Sequence, residues 1–478
     1  MTNSRWRQLV AGARAAAAAL LVTASLGACA TARPDLIQVY PDARILKHRP
    51  VIIIPGVFGS RLRDARSGKV VWGKFMNLLT SRFRLILNPT RVDGTDLLDL
   101  PIDESDVTKN RDNLEAYDLF DGVAGRDFYR EIIRTLTMVA GYRLGDVKKP
   151  QPGEDCFAFY YDWRRDTVEN ARLLGEAIAR VQAFTRAPKV DLIAHSLGGI
   201  VARYYVRYGL VDVLAGPLGE PTYAGAENVD TVVMIGVPNE GTLDTLTSHN
   251  HGVRIARRLP PEGVFTMPAS YQTLPSRTTH PFLDEAGRPL DIDLYKPELW
   301  EKYGWSAFGK ESLQRLRDET LKEFGKDEGT QRYERRLATM RAFLASALTR
   351  AERLHEALDV KGTAADPVRY FAFGGDCLPT PARAMIRVQE DGTFETVTRV
   401  EDLPARLTTP EVKRLMSEPG DGSVTRSSLL ALHADGGIAK PSEGLRIDQS
   451  LFLCDTHRRL TENITFQDNL LQFLLYRP

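Results

Sequence analysis

Residues 190 to 200 read Val-Asp-Leu-Ile-Ala-His-Ser-Leu-Gly-Gly-Ile, and this stretch constrains the fold more than any other. Val190 to Ala194 is a short apolar run of the kind that forms a strand buried on both faces. The residues after Ser196 carry Ile200, Val201, Tyr204, Tyr205 and Leu210 at helical spacing. A strand, a sharp turn with a serine at its tip and a helix together present a hydroxyl above a sheet, beside the positive end of the helix. The turn is tight, so the positions two before and two after the serine must be small, and they are Ala194 and Gly198. Gly199 helps the helix approach the strand. The same letters also suit a plain Ser-Gly turn without chemistry. The flanking strand and helix are what point to a nucleophile.

The remaining chain supplies the sheet that such a turn needs. Val51 to Ile54 is a β-branched run that ends in Pro55-Gly56, which predicts a central parallel strand with a loop at its C-terminal end. Such loops line active sites in α/β sheets. The backbone N–H groups of Val57 and Leu197 are the expected oxyanion donors. Residues 61 to 125 carry scattered Gly, Asp and Pro and have no clear pattern. Asp127 to Ala140 has helical periodicity, Cys156 to Tyr160 reads as a strand, and 167 to 186 as a helix. Val232 to Val237, Arg369 to Phe373 and Leu451 to Leu453 are further strands, and Phe466 to Tyr476 a last helix. Alternating strands and helices predict an α/β fold, a mostly parallel sheet with helices on both faces. The alternation stops between 239 and 367, which predicts an inserted helical cap, with two or three helices between Lys310 and Leu358. His249 and His251 fall in its first part and read as a polar loop rather than a metal site.

At the N-terminus, Arg5 and Arg7 precede a small, apolar segment from Leu9 to Leu26, followed by Leu26-Gly27-Ala28-Cys29. Residues 1–28 are therefore expected to be a signal peptide and 29–49 a tether, leaving 50–478 as the folded domain. Leu-Gly-Ala-Cys resembles a bacterial lipobox, which would lipidate Cys29 and tether the chain to a membrane. An ordinary secretory signal cut after Ala28 or Ala30 suits the same residues. Ala30 after the cysteine, rather than aspartate, resembles lipoproteins of the outer membrane. The expected location is thus the bacterial cell envelope. Taking Arg5, Arg7 and Arg14 from the 63 Lys and Arg leaves 60 against 62 acidic residues. A net charge near −2 gives no footprint for nucleic acid. No CxxC or His/Cys cluster calls for a metal or cofactor.

The motifs, taken in order, resemble the lecithin:cholesterol acyltransferase family of α/β-hydrolases, which also holds lysosomal phospholipase A and phospholipid:diacylglycerol acyltransferases. They are Pro-Gly-Val-Phe-Gly-Ser at 55–60, Tyr-Asp-Trp-Arg at 161–164, Ala-His-Ser-Leu-Gly-Gly at 194–199 and Gly-Val-Pro-Asn-Glu-Gly-Thr at 236–242. Leu-Pro-Thr-Pro at 378–381, Asp-Gly-Ser-Val at 421–424 and a C-terminal stretch with His457 complete the set. The resemblance implies an α/β-hydrolase fold with a cap over an acyl pocket, and an acyl-lipid substrate such as phospholipid. It implies that Phe58, Tyr161 and Trp163 lie near the substrate; Asp162 reads as structural. The chain order of serine, acid and histidine leaves Asp376, Asp421 and Asp435 as acids, and His433 and His457 as bases. Asp421, in its glycine-flanked loop, and His457, between the last strand and the last helix, match best. His195 is too close to Ser196 in sequence to serve as its base and reads as packing of the turn.

The expected activity is serine-dependent acyl transfer from a lipid ester to an alcohol or to water. A plain triacylglycerol lipase or esterase is the alternative, and a non-catalytic surface lipoprotein a more distant one. Cys377 and Cys454 each follow a strand, at the end of the sheet that carries Asp421 and His457. The family has a disulfide in this general region, but at positions that do not correspond one for one. A Cys377–Cys454 bridge and three unpaired cysteines, with Cys156 the third, both remain open on the sequence.

Overall fold

A computed structural model describes residues 34–73, 98–102, 106–120, 122–123, 126–127, 129–254, 258–435 and 438–476. Cys29 and the expected signal peptide lie outside the described residues. In the expected tether, Leu36–Val39 forms one helical turn, capped by the Asp35 carboxylate. Ala43–Ile45 forms a 3-10 turn.

Among the described residues, seven parallel strands form the central sheet: β1 Val51–Ile54, β2 Leu144–Asp146, β3 Cys156–Ala158, β4 Val190–His195, β5 Val229–Ile235, β6 Arg369–Gly375 and β7 Gln449–Leu453. Their spatial order is β7-β6-β5-β4-β1-β3-β2. Every neighbouring pair is parallel. β1 and β4 are wholly buried, which explains their continuous apolar runs. The chain lays β2 and β3 on one side of β1, then crosses to lay β4 to β7 on the other. The loops after β1 and β4 therefore part at the switch point, where α/β sheets open a crevice. This is the α/β-hydrolase arrangement.

Helix α1, Thr167–Thr185, begins where the Asp166 carboxylate accepts the N–H of Val168. It buries Val168, Ala171, Leu174, Ile178 and Val181, one face at helical spacing, and packs against α2, Leu197–Tyr208. All twelve residues of α2 are buried, so the helix needs internal partners for its polar groups. Arg203 donates to the Asn239 side chain at 2.9 Å and to Leu358 O at 3.1 Å, Arg207 donates to Gly444 O at 2.7 Å, and Tyr208 donates to Ala357 O at 2.7 Å. Two of these four bonds, to Ala357 and Leu358, anchor the helix behind Ser196 to the returning end of the insertion, and a third ties it to Gly444.

The insertion has a core of its own. Helix α3, Leu243–His251, opens it; α4, Lys310–Phe324, and α5, Lys326–Asp359, meet at Gly325. Phe265, Tyr271, Trp300, Trp305, Phe308, Phe343 and Leu344 pack there as a second apolar cluster. This core reaches past residue 367, because strand Phe282–Leu283 pairs with Ala384–Met385, which continues into a hairpin with Phe394–Val397. His249 and His251 lie on α3 rather than in a polar loop. His249 is fully buried between the hydroxyls of Ser306 (3.1 Å) and Ser270 (3.0 Å), and burial lowers its pKa to about 3.

Other elements also depart from the expectations. The helix expected from Asp127 starts at Arg130, and its second half, Thr135–Val139, is a π-helix. The unassigned stretch after residue 60 holds an antiparallel sheet of Ser60–Asp64, Val70–Trp72 and Leu114–Leu119. α6, Ile464–Leu475, closes the chain.

Candidate active site

Ser196 sits between β4 and α2 with φ 53° and ψ −128°, a conformation costly for a non-glycine residue. It is held there from both sides. Its N–H donates to Ile235 O at 2.9 Å. Behind it, a Cβ on Gly198 would lie 2.6 Å from the carbonyl oxygens of Ile54 and Pro55, so only glycine lets α2 come this close to β1. The loop after β1 reaches the serine directly, since a Cβ on Gly56 would lie 2.7 Å from Ser196 Cβ. Val57, next in that loop, is 40% exposed. Leu197 heads α2, so its N–H has no acceptor within the helix.

The other groups come from the turn after the short strand Ser417–Gly420, which lies against the end of β6, and from the loop after β7. His457 Nδ1 lies 2.8 Å from Asp421 Oδ2. Asp421 is buried, and its Oδ1 accepts the N–H groups of Ser423 at 3.0 Å and Val424 at 2.7 Å. The Asp421 carbonyl accepts the His457 N–H at 2.9 Å, fixing the histidine loop to the acid loop. Burial alone would push the Asp421 pKa up and the His457 pKa down. Each group's opposite charge on the other outweighs that, so the carboxyl sits below its usual range and the imidazole above. An acceptor-only carboxylate at Nδ1 fixes the proton there and leaves Nε2 basic in the neutral ring. Gly236, just beyond Ile235, has φ 54°, and a Cβ on it would lie 2.7 Å from His457 Nδ1.

Cys377 and Cys454 are joined, with Cα atoms 5.2 Å apart. The bridge ties the end of β6, against which Asp421 lies, to the end of β7, whose loop carries the histidine. Cys156 is a buried free thiol in β3.

The other candidates lie elsewhere. His433 Nε2 is 3.4 Å from both Glu240 and Asp359. Asp376 lines a cavity of about 520 Å3 with Cys377, Arg399, Lys413 and Gly422, behind the acid loop. Asp435 ends a short hairpin strand, Leu432–Asp435. Asp162 binds the buried Arg164 at 2.7 Å, which also grips Asp112 at 2.7 Å. Tyr161 donates to Pro55 O at 2.6 Å and Trp163 to Ser60 O at 3.2 Å. These two buried side chains thus stand behind the Pro55–Ser60 loop and brace it, while the Phe58 ring rests on Trp163 at 4.4 Å.

Two further residues at the site, Asp244 and Tyr129, carry no local signal in the sequence, and His195 reads there only as packing of the turn. Asp244, in the first turn of α3, accepts from Ser423 Oγ at 3.2 Å and Arg399 at 3.0 Å, and its charge helps raise the His457 pKa. Tyr129 and His195 are buried against Gly56 and the backbone of His457. Among the described residues, no group of three or more His, Cys, Asp or Glu is arranged to hold a metal ion. No described helix is long and apolar enough to cross a membrane.

Residues 161–257 match the family model for lipase (class 2). That segment holds Ser196 and its flanking strand and helix; Asp421 and His457 lie outside it. The match supports a relationship to lipases and esterases, and it does not name the acyltransferase family that the motifs resemble. No curated protein matches the chain. Among solved structures, the chain is similar to the Tle4-Tli4 complex, with 14% identity and a TM-score of 0.48, over 88% of this chain and 97% of that one. It is also similar to the Bacillus licheniformis lipase BlEst2. The propeptide form has 11% identity and a TM-score of 0.34, over 90% of this chain and 51% of that one. The mature form has 11% identity and a TM-score of 0.32, over 89% and 92%.

Proposed function

We propose that the protein is a lipid ester hydrolase that works through an acyl-serine at Ser196. The observation that best supports this reading is that the Ile235–Gly236 segment touches both sides of the site: Ile235 O accepts the N–H of Ser196 on its strained strand–helix turn, and Gly236 abuts the imidazole of His457, which is paired with the buried Asp421. The class 2 lipase match around Ser196 supports a lipid ester as substrate. Neutral His457 takes the Ser196 proton on Nε2 as the hydroxyl attacks the ester carbonyl. Asp421 holds Nδ1–H and stabilises the imidazolium that forms. The N–H groups of Leu197 and Val57 receive the oxyanion, with the N-terminal end of α2 behind them. His457 then returns its proton to the leaving alkoxide, and water or an alcohol releases the acyl group.

Hydrolysis and transfer use the same residues, so the acceptor is decided by product analysis. Phospholipid vesicles and triacylglycerol emulsions, each with and without a long-chain alcohol, are offered to the enzyme. Free fatty acid from either supports the reading, new ester in the alcohol arm extends it to transfer, and no acyl release from any lipid ends it. The insertion from 239 onward is read as the cap over the acyl site. Cys29 is read as the lipidated N-terminus of an envelope protein. Mass spectrometry should find a diacylglyceryl N-terminal cysteine, lost in Cys29→Ser; an unmodified terminus beyond Cys29 overturns this.

The pair sets a pH dependence. Protonated His457 cannot act as base, and its pKa is raised. Activity is therefore lost as pH falls through a value above the ordinary histidine figure of about 6.5. The acid limb of kcat/KM for a soluble ester should lie above that figure, and Asp421→Asn should move it lower. An acid limb at or below about 6 in the unaltered enzyme contradicts the assignment.

Gly236→Ala tests the geometry from the other side. Its Cβ would press on His457 Nδ1 from a backbone that disfavours any side chain. Displacing the imidazole by about 1 Å is expected to cost about 100-fold in kcat/KM. A variant within threefold of the parent would show that His457 does not need its present position.

A further inference from the structure

We propose that Tyr129 and His195 are positioning residues, a buried hydrogen-bond relay that holds the oxyanion loop and the histidine loop in register with Ser196. The proposal rests on the serine-hydrolase reading above. The Gly56 N–H donates to Tyr129 Oη at 2.9 Å. Tyr129 Oη lies 3.0 Å from His195 Nδ1, and His195 Nε2 lies 3.3 Å from the carbonyl oxygen of His457. Tyr129 is 1% exposed and His195 8%.

The proton inventory gives the relay one direction. A carbonyl oxygen only accepts, so His195 Nε2 carries a proton and donates it to His457 O. In the neutral ring Nδ1 is then an acceptor, and the Tyr129 hydroxyl donates to it. Tyr129 Oη keeps lone pairs for the Gly56 N–H. Every hydrogen in the chain has one donor and one acceptor, and the pattern requires His195 to stay neutral. Burial, with the nearby His457, lowers its pKa to about 3, so it does. Both its nitrogens are thereby committed, which explains why the imidazole next to Ser196 in sequence does not serve as its base.

The connected points are the three that must stay aligned. Gly56 precedes Val57, the proposed oxyanion donor; His195 precedes the nucleophile; and the His457 carbonyl belongs to the base itself. These points lie on the loop after β1, at the last residue of β4 and on the loop after β7. Tyr129 comes from a segment outside the central sheet, just before the Arg130–Arg134 helix. Packing alone would be served by any large apolar side chain there. The phenol instead supplies an acceptor to a loop whose neighbouring N–H must remain aimed at the oxyanion.

Tyr129→Phe removes only the hydroxyl. The expected result is a kcat lower by about 10- to 100-fold on a soluble ester, the loss typical of a misaimed oxyanion donor, with KM changed less than threefold. The rate of Ser196 labelling by a phosphonate should fall by a similar factor while full stoichiometry is still reached, showing a folded site. His195→Gln should lose a comparable amount, and the double variant little more than either single one, because one relay is broken once; independent packing losses would multiply. Should Tyr129→Phe not be recovered folded, His195→Gln carries the same expectation. A kcat within twofold of the parent in the folded variant, or losses that multiply in the double variant, overturns the relay. If the parent enzyme is not labelled at Ser196 by a phosphonate, the serine-hydrolase reading itself fails, and the relay with it.

Discussion

Ser196→Ala and His457→Ala are each expected to lower kcat/KM toward lipid and soluble esters by about 10⁴- to 10⁶-fold, leaving the fold intact. Ser196 is only partly buried, and its hydroxyl makes none of the bonds that build the turn, so alanine leaves the backbone contacts with Ile235 in place. Asp421→Asn should cost about 10⁴-fold, because an amide can donate to Nδ1 and so favours the wrong histidine tautomer. The losses should not multiply. Once the nucleophile is gone, the base has no proton to take, so Ser196→Ala/His457→Ala should be about as slow as either single variant. His433→Ala serves as the control, since His433 is engaged with Glu240 and Asp359. If it abolished turnover while His457→Ala did not, the base would be misassigned. A far-UV spectrum and melting curve matching the parent separate loss of chemistry from loss of fold.

The second large effect is on stability. The Cys377–Cys454 bridge spans a sequence separation of 77. A cross-link closing a loop of that length restricts the unfolded chain by about 4 kcal/mol in the loop-entropy account. The Cys377→Ser/Cys454→Ser variant should therefore lose about 3–5 kcal/mol in urea unfolding, and the fully reduced parent should match it. Activity should fall too, because the bridge joins the strand end beside Asp421 to the strand end that leads into the His457 loop. Non-reducing peptide mapping should recover the two cysteines in one linked peptide, with Cys156 alkylated only after unfolding. Separate alkylated Cys377 and Cys454 peptides from the native protein would remove the basis for this prediction.

What could be read from the sequence has a common character. Val51–Ile54 matches its strand residue for residue, and Val190–His195 and Thr167–Thr185 lie within a residue or so of their expected limits. In each case burial on defined faces writes an apolar pattern into consecutive residues, and Asp166 or a glycine marks the end. Six of the seven parallel strands, and the α/β class, followed from the alternation of these runs; the hydrolase fold came from the serine turn and the motif resemblance. The choice of Ser196 followed from the steric needs of one turn, where Ala194 and Gly198 are local facts.

Other features depended on groups far apart in the chain. Leu144–Asp146 is an edge strand with exposed and half-buried residues, so it lacks an apolar run, and only pairing with Cys156–Ala158 makes it a strand. The hairpin at 384–397 joined the insertion through Phe282–Leu283, a hundred residues upstream, which no periodicity reveals. The preference for Asp421 over Asp376 and Asp435, and for His457 over His433, rested on motif resemblance; the 2.8 Å contact between Asp421 and His457 is a fact of tertiary structure alone. Tyr129 and His195 illustrate the limit best. In the sequence Tyr129 is one apolar position of the helix expected over 127–140, and His195 reads as packing of the turn. Their hydrogen bonds run to Gly56 and His457, and the sheet's crossover brings those residues together. A strand or a tight turn is encoded by neighbouring side chains that share one environment. A contact between loops is encoded by the whole path of the chain between them, so only the folded structure decided it.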